Sequence, residues 1–522
     1  MPQMSAKITT VPSPVGGLNI YDNLAAMPPT DAIRLSNIVP QPYGCTIRKG
    51  YQEHAIGLGG LVESMSTWVS FAGVRKLFAF ANKKLWDVTA PGSGVQLLTG
   101  LSTDFWYSVG YANAAGIFTL MFSGADNPIV YTASGTIRLI AGDGTAANTW
   151  AGVNPATIVQ ATVHQRRVWG VETNSTKGWY LPPDSYYGVA KSFNFGPSFK
   201  RGGYLTALAT WTVDAGSGSD DHLVAVSSNG EAAVYAGIDP VSPDTWRLVG
   251  VYFIGQPPRG RRFFANVAGD LYFLTLTGVV SMATVVTSTQ VNLSANNAYS
   301  QKIQFLLSEL LNELKDFEGW EIEFFPGISL LIINVPTVHA GGNGQIVANQ
   351  ITTAWCTFSG MDARCWLRLD DNPFFGGNGI VYRAWSGDQD GVKIDGTGGT
   401  NILSSVQQAY SNFGMQTAQK QVGLYRPNFL GTKKIRYNSV LTYDYDQHVL
   451  PQADGSNVPS PFAHWNEAQW HEDMWSGGLT VQRDWRSAEG MGTAVALSMS
   501  LSTEAESTWI STDFTIRSGG PL

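Results

Sequence analysis

Apolar residues come in short runs separated by glycine, proline and asparagine, and one unit recurs: a short apolar strand, a turn, a second strand. It appears as Leu77–Val88, Ile117–Gly135, Val168–Leu181, Leu223–Gly237, Leu271–Ala283, Ile328–Pro336 and Ile380–Ile394. The starts lie about 40 to 60 residues apart, a period that suits propeller blades. Asn229-Gly230 is a hairpin signal, because φ > 0 costs these residues little. A blade cannot bury both faces alone; stacking blades round an axis covers them and leaves only short edges. A β-propeller is therefore expected over 61–400, in preference to stacked sandwiches. Trp86-Asp87 is a single WD pair without the rest of that blade signature.

One segment breaks the rhythm. Ile303, Leu306, Leu307, Leu310, Leu311 and Leu314 recur at three- and four-residue spacing, opposite Lys302, Glu309, Glu313 and Lys315. This predicts an amphipathic helix of about four turns near 300–316, stopped at Gly319. Residues 1–60 read as an extended N-terminal segment interrupted at Gly16-Gly17, Pro28-Pro29, Pro40 and Pro42, ordered only if something else holds it. After about residue 400 the period changes. Lys420–Asp446 reads as two strands, and the alternation of AVALSMSLS and TWISTDFTIRS predicts a C-terminal β-sandwich over 401–522. The fold class is mainly β: a propeller with one inserted helix, plus a sandwich.

Composition agrees. The 522 residues include 57 glycines and 17 tryptophans, with 14% charged residues against a usual ~25%. A hydrophobic content of 44% and a net charge of −7 exclude a disordered chain. Cys45, Cys356 and Cys365 are too few for a disulfide framework and fit a reducing compartment. No signal peptide is visible at the start, and no apolar run nears the ~18 residues of a membrane span. Synthesis in a reducing cytoplasm and no membrane insertion are the expectations.

Chemistry is sparse. The G-x-S-x-G turn, the G-x-x-x-x-G-K-[ST] phosphate loop and the H-E-x-x-H helix do not occur. Gly341–Gly344 and Gly376–Gly379 lack the strand-to-helix setting of a phosphate cradle and read as loops. Glu321 and Glu323 share one strand face, where paired carboxylates would suit glycoside cleavage, but a solvent-facing edge explains them better. Asp444 and Asp446 alternate with Tyr443 and Tyr445, as polar-out, aromatic-in does. His464, His471, Glu472 and Asp473 match no zinc spacing. Asp388 and Asp390 resemble the start of a calcium loop without its distal glutamate, and read as a tight turn. Cys356 and Cys365 sit beside Trp355 and Trp366 and read as buried thiols. No catalytic, cofactor-binding or metal residue is assigned, and no cofactor is expected. The basic spots are His164 to Arg167, Lys200-Arg201, Arg259 to Arg262 and Lys433 to Arg436. Isolated spots read as solvated faces or subunit contacts, although a ring assembly would multiply one into a belt around DNA.

Several stretches together resemble a family. Pro14–Tyr51, with Gly16-Gly17, Asn37, Pro40, Arg48 and Gly50, looks like the opening of tail proteins from short-tailed bacteriophages. The helix, then FFPGISLLIINVP, Asn349–Trp366 and FFGGNGIVYRAWSGDQDG follow that family's order, and DFTIRSGGPL is similar to its last strand. The resemblance covers both ends and Ser300–Gly391. The family is the tail hub, or nozzle, also described as a packaged-DNA stabilisation protein.

The resemblance implies a non-enzymatic structural virion component containing a β-propeller. Six copies would form a homohexameric ring below the portal and adaptor, lining the DNA exit channel and supporting fibres or a tail needle. Double-stranded DNA would pass through the lumen without specific contacts. Two alternatives remain open: a glycan- or receptor-binding module, suggested by Trp465, Trp470, Trp475 and Trp485, and, less favoured, a glycan depolymerase.

Overall fold

The computed structural model describes residues 7–214, 219–242, 244–287, 299–337, 344–446, 450–453 and 479–521. It is mainly β, built from many small sheets. Seven of them follow one another along the chain, and each of the seven recurring stretches falls in a different one.

Sheet one holds Val62–Val69, Arg75–Ala81, Lys84–Asp87 and Val95–Leu98. Sheet two begins at Tyr107–Asn113, sheet three at Ile158–His164 and sheet four at Leu205–Asp214, each with four antiparallel strands. Sheet five has three strands, starting at Phe264–Val267. Sheet six starts at Glu321–Phe325 and sheet seven at Cys365–Leu369.

The first strand of each sheet packs on the next sheet in turn, and that of sheet seven packs on Val62–Val69 of sheet one. No hydrogen-bonded sheet among the described residues closes on itself; the order of packing does. The closure has a latch. Tyr51–Ile56, from the N-terminal part of the chain, runs antiparallel to Val381–Ala384 and completes sheet seven. The ring therefore begins before residue 60.

The cores lie between successive sheets, because successive side chains on a strand point to opposite faces. In sheet one Leu77, Ala79 and Ala81 pack toward sheet seven, with Val381 and Phe374. Phe78 and Phe80 between them pack toward sheet two, with Trp106, Met121 and Ile129. Leu120 and Phe122 then face sheet three, with Ile158 and Val168. Leu223 and Ala225 face sheet three, while Val224 and Val226 face onward. Strands enclosed on both sides must be apolar on both, so LFAFA and LVAV carry no polar face.

The helix Gln304–Leu314 links sheets five and six, preceded by a 3-10 turn at Gln301–Ile303. It is three turns long rather than four, and buries Ile303, Leu307, Leu311 and Leu314. Trp320 Nε1 donates to Leu314 O at 2.9 Å and closes its C-terminal end. A short helix, Met282–Thr287, precedes it.

Two further sheets face each other across a core of Ile38, Cys45, Ile47, Phe429, Met499, Leu501 and Trp509. One pairs Ala418–Gly431 with Ser507–Pro521, the other Thr400–Gln408 with Val495–Thr503 and Arg436–Tyr443. The N-terminal segment is woven into both. Lys7–Pro12 and Gly44–Ile47 pair with Ser507–Pro521, and Asp31–Ser36 pairs with Thr400–Gln408. Through Ser36 and Thr357 the second sheet continues into sheet six of the ring.

Candidate functional site

Asn37, Arg48 and Gly50, three of the residues that carry the resemblance, meet Ser359 and Asp390 where the N-terminal segment, the ring and the C-terminal sheets join. Arg48 is the centre, its side chain fully buried. Nε donates to Asn37 Oδ1 at 2.8 Å. One terminal nitrogen donates to Asp390 Oδ1 at 2.7 Å and Lys49 O at 3.0 Å. The other donates to Asp390 Oδ2 at 2.6 Å and Ser359 O at 2.9 Å. Five bonds use all five donors of the guanidinium. Burial pushes the Asp390 carboxyl above its usual range, with Arg48 pulling against that.

Asn37 is equally committed. Its amide nitrogen donates to Ser359 Oγ at 3.0 Å and Leu403 O at 2.7 Å, and Oδ1 also accepts from Ser359 N at 2.9 Å. Its φ of 59° lies in the left-handed region, which Asn tolerates. At Gly50 a Cβ would sit 1.8 Å from Gln389 O, so only glycine fits beneath this strand. Asn349 Nδ2 donates to Pro40 O at 2.8 Å. The neighbouring acid, Asp388, is held by Lys49 at 2.9 Å. Asp388 and Asp390 are thus ion-pair partners of the N-terminal segment. Sequence reasoning names Arg48 and Asp390 separately and misses their pairing, for which no local signal exists across 342 positions.

A second cluster occupies the axis of the ring. Arg262 donates to both oxygens of Glu321, at 3.2 and 3.1 Å, and to Glu63 O of sheet one at 2.7 Å. Trp366 N donates to Glu321 Oε2 at 2.8 Å. Tyr107 of sheet two lies within electrostatic range of Glu323 and Arg262, and burial raises its pKa. Sheets that are not neighbours in the circuit, five and one, meet here through Arg262 and Glu63. The expectation of a solvent-facing edge for Glu321 and Glu323 is corrected. Glu321 is 4% exposed and Glu323 half-buried, because their strand, though terminal in its sheet, packs against sheets five and seven. Burial, then the charge of Glu321, pushes Glu323 up to about 8. Burial also raises Glu63 and Glu321, against Arg364 and Arg262 for the first and Arg262 for the second.

The remaining candidates are dispersed. Asp444 accepts from Thr493 N and Oγ1, both at 2.7 Å, and Asp446 N donates to Tyr443 O. Cys45, Cys356 and Cys365 are free and buried, and burial pushes Cys45 and Cys365 up to about 12, which suits inert thiols. His464, His471, Glu472, Asp473, Trp465, Trp470, Trp475, Gly341, Gly342 and Asn343 lie outside the described residues. Trp485 is half-exposed, with the Arg426 guanidinium 4.4 Å from its ring. Among the described residues no group of three or more His, Cys, Asp or Glu side chains is placed to hold a metal ion. No helix among them is long and apolar enough to cross a membrane.

The basic spots are largely neutralised on the spot. His164 is buried; Arg166 pairs with Asp184, Arg259 with Glu318, Lys433 with Glu504 and Lys434 with Asp484. Arg201 lies 4.0 Å from the ring centre of Phe253.

No protein-family model matches the chain, and no curated protein does. Among solved structures, YCF48 bound to a D1 peptide is 12% identical with a TM-score of 0.35, covering 69% of this chain and 99% of that one. BamB from Moraxella catarrhalis is 11% identical with a TM-score of 0.32, covering 72% and 97%. BBS1N in complex with ARL6DN is 11% identical with a TM-score of 0.39, covering 65% and 98%.

Proposed function

We propose that the chain is a structural subunit of a short phage tail, a hub or nozzle protein. In this reading the ring of seven sheets is a β-propeller acting as a rigid body, and the two C-terminal sheets are a sandwich fused to it. Six copies surround the DNA exit channel beneath the portal and adaptor and carry the fibres or needle. The observation that carries the reading is the clamp. Asn37, Arg48 and Gly50, which bear the resemblance, hold three parts of the chain together and leave no donor of Arg48 for a ligand.

Two physical features support a passive conduit wall. Arg262 joins Glu321 and Glu63 O across sheets that are not neighbours, so in this reading a duplex runs between copies and not through one. Most of the basic spots are paired with carboxylates, and grip on DNA grows with the number of phosphates a surface neutralises. A wall of net charge −7 per copy lets DNA slide. The glycan-cleaving alternative needs two free carboxylates, whereas Glu321 is engaged by Arg262 and Trp366 N.

Electron microscopy of intact particles tests the proposal. The expected result is six copies of this chain around the axial channel, next to the portal complex. A chain found only as a free monomer, never in particles, overturns it.

A further inference from the structure

One cavity belongs to neither the clamp nor the axial cluster. It opens on the face of the ring where the first strands of sheets four and five begin, beside the segment that follows the helix. Its volume is about 660 Å³, in the range of small-molecule sites. Arg259, Arg261 and Lys315 line it, with Asp316 and Glu318.

The charges are not balanced at the wall. Arg259 binds Glu318 at 3.0 Å and, through its backbone N, Lys315 O at 2.8 Å. Arg261 donates to a carbonyl, Thr206 O, at 3.2 Å, and among the described residues has no ion pair. Burial lowers its pKa, with the charge of Glu318, itself bound to Arg259, pulling against that. Lys315 is exposed on the same rim. A second observation is independent of charge. Thr206 is 5% exposed, lines the cavity, and its hydroxyl is buried without a hydrogen-bond partner. A buried hydroxyl left unpaired is costly, and a ligand that accepts from it recovers that cost. Arg261 also lines an adjoining cavity of about 230 Å³, shared through Thr173 and Glu318.

We propose that this cavity binds a small organic polyanion, a phosphate ester or a polycarboxylate. Arg261 and Lys315 hold the anionic head, the Thr206 hydroxyl donates to it, and Tyr204 with Pro257 and Pro258 flanks the body. The charge-assisted bonds to Arg261 supply most of the affinity. The site does not depend on the assembly of copies into a tail.

Isothermal titration of the full-length chain with pyrophosphate and, separately, with citrate at fixed ionic strength tests it. Saturable binding of either probe is expected, with a Kd below about 1 mM. Pyrophosphate alone assigns phosphate chemistry, citrate alone assigns carboxylate, and both assign the shared polyanion. R261Q should weaken binding about tenfold or more, and K315Q and T206V about threefold each. Lys315 is exposed, so K315Q reports even if R261Q fails to fold. No saturable heat from either probe up to about 10 mM overturns the proposal. So does binding by K315Q and T206V that equals the parent's.

Discussion

Arg48 is bound to Asn37 twice, backbone N to O at 3.1 Å and Nε to Oδ1 at 2.8 Å, and both side chains reach on to Ser359. Arg48 reaches forward to Asp390 and Ser359, and Asn37 to Ser359 and Leu403. The pair ties the end of the ring to the start of the C-terminal sheets.

Breaking this pair should cost more than its net worth. R48M leaves Asp390 buried without its cation, and about 3–5 kcal/mol of stability should go, read by denaturant unfolding. R48K keeps the charge but offers three donors to five acceptors, and should still lose about 2 kcal/mol. A lysine variant as stable as the parent would mean that the fork geometry is irrelevant.

Gly50 makes a simpler test. Its Cβ position lies 1.8 Å from Gln389 O, which is backbone and cannot swing away. G50A should lower stability by about 3 kcal/mol, and the thermal midpoint should drop accordingly. An unchanged midpoint contradicts the packing.

Glu323 ties stability to pH from the basic side. Its ordinary value is 4.5 and its folded value about 8. Below pH 4.5 the carboxyl is protonated in both states. Between 4.5 and about 8 the unfolded chain ionises while the folded chain keeps its proton, so stability falls as pH rises. E323Q should remove this slope and stabilise the chain by about 2–3 kcal/mol at pH 8, less than the full shift implies because the site is half open to water. Melting midpoints of parent and variant across pH 4 to 8.5, on the order of one pH unit apart, check this.

His164 acts in the opposite direction. Burial lowers its pKa from 6.5 to about 4. Above 6.5 it is neutral in both states; between 6.5 and about 4 only the unfolded chain takes up the proton, so stability falls with acidification. H164F should flatten the acid side by about 3 kcal/mol, seen in unfolding curves at two pH values. An unchanged acid slope would place the proton elsewhere.

Local patterns are readable in the sequence; distant partners are not. LFAFA announces a strand, and its double-sided apolarity makes sense once sheets stand on both flanks of Phe78 and Leu77. The helix is readable from its leucines, although its first turn tightens into the 3-10 turn at Gln301–Ile303. Glu321 and Glu323 fall on a common face, but a period of two says nothing about what lies opposite. Here other sheets of the ring and Arg262 bring their side chains to that face, burying Glu321 and half-burying Glu323. Tyr51–Ile56 looks like part of a lead-in because its partner, Val381–Ala384, lies far along the chain. Asp390 resembles a metal ligand because a carboxylate in a glycine-rich turn reads alike whether a cation or Arg48 awaits it.

The latch strand also sets an order of events at the ribosome. Tyr51–Ile56 leaves the exit tunnel early, while Val381–Ala384 is translated last of the ring. At about 5–20 residues per second, the interval is roughly twenty seconds to a minute. Through that time sheet one has no seventh neighbour, and Leu77, Ala79 and Ala81 stay open to water. Nascent chains are most prone to clump in this window, and a chaperone that shields the waiting edge would raise the yield of finished wheels more than any gain in native stability.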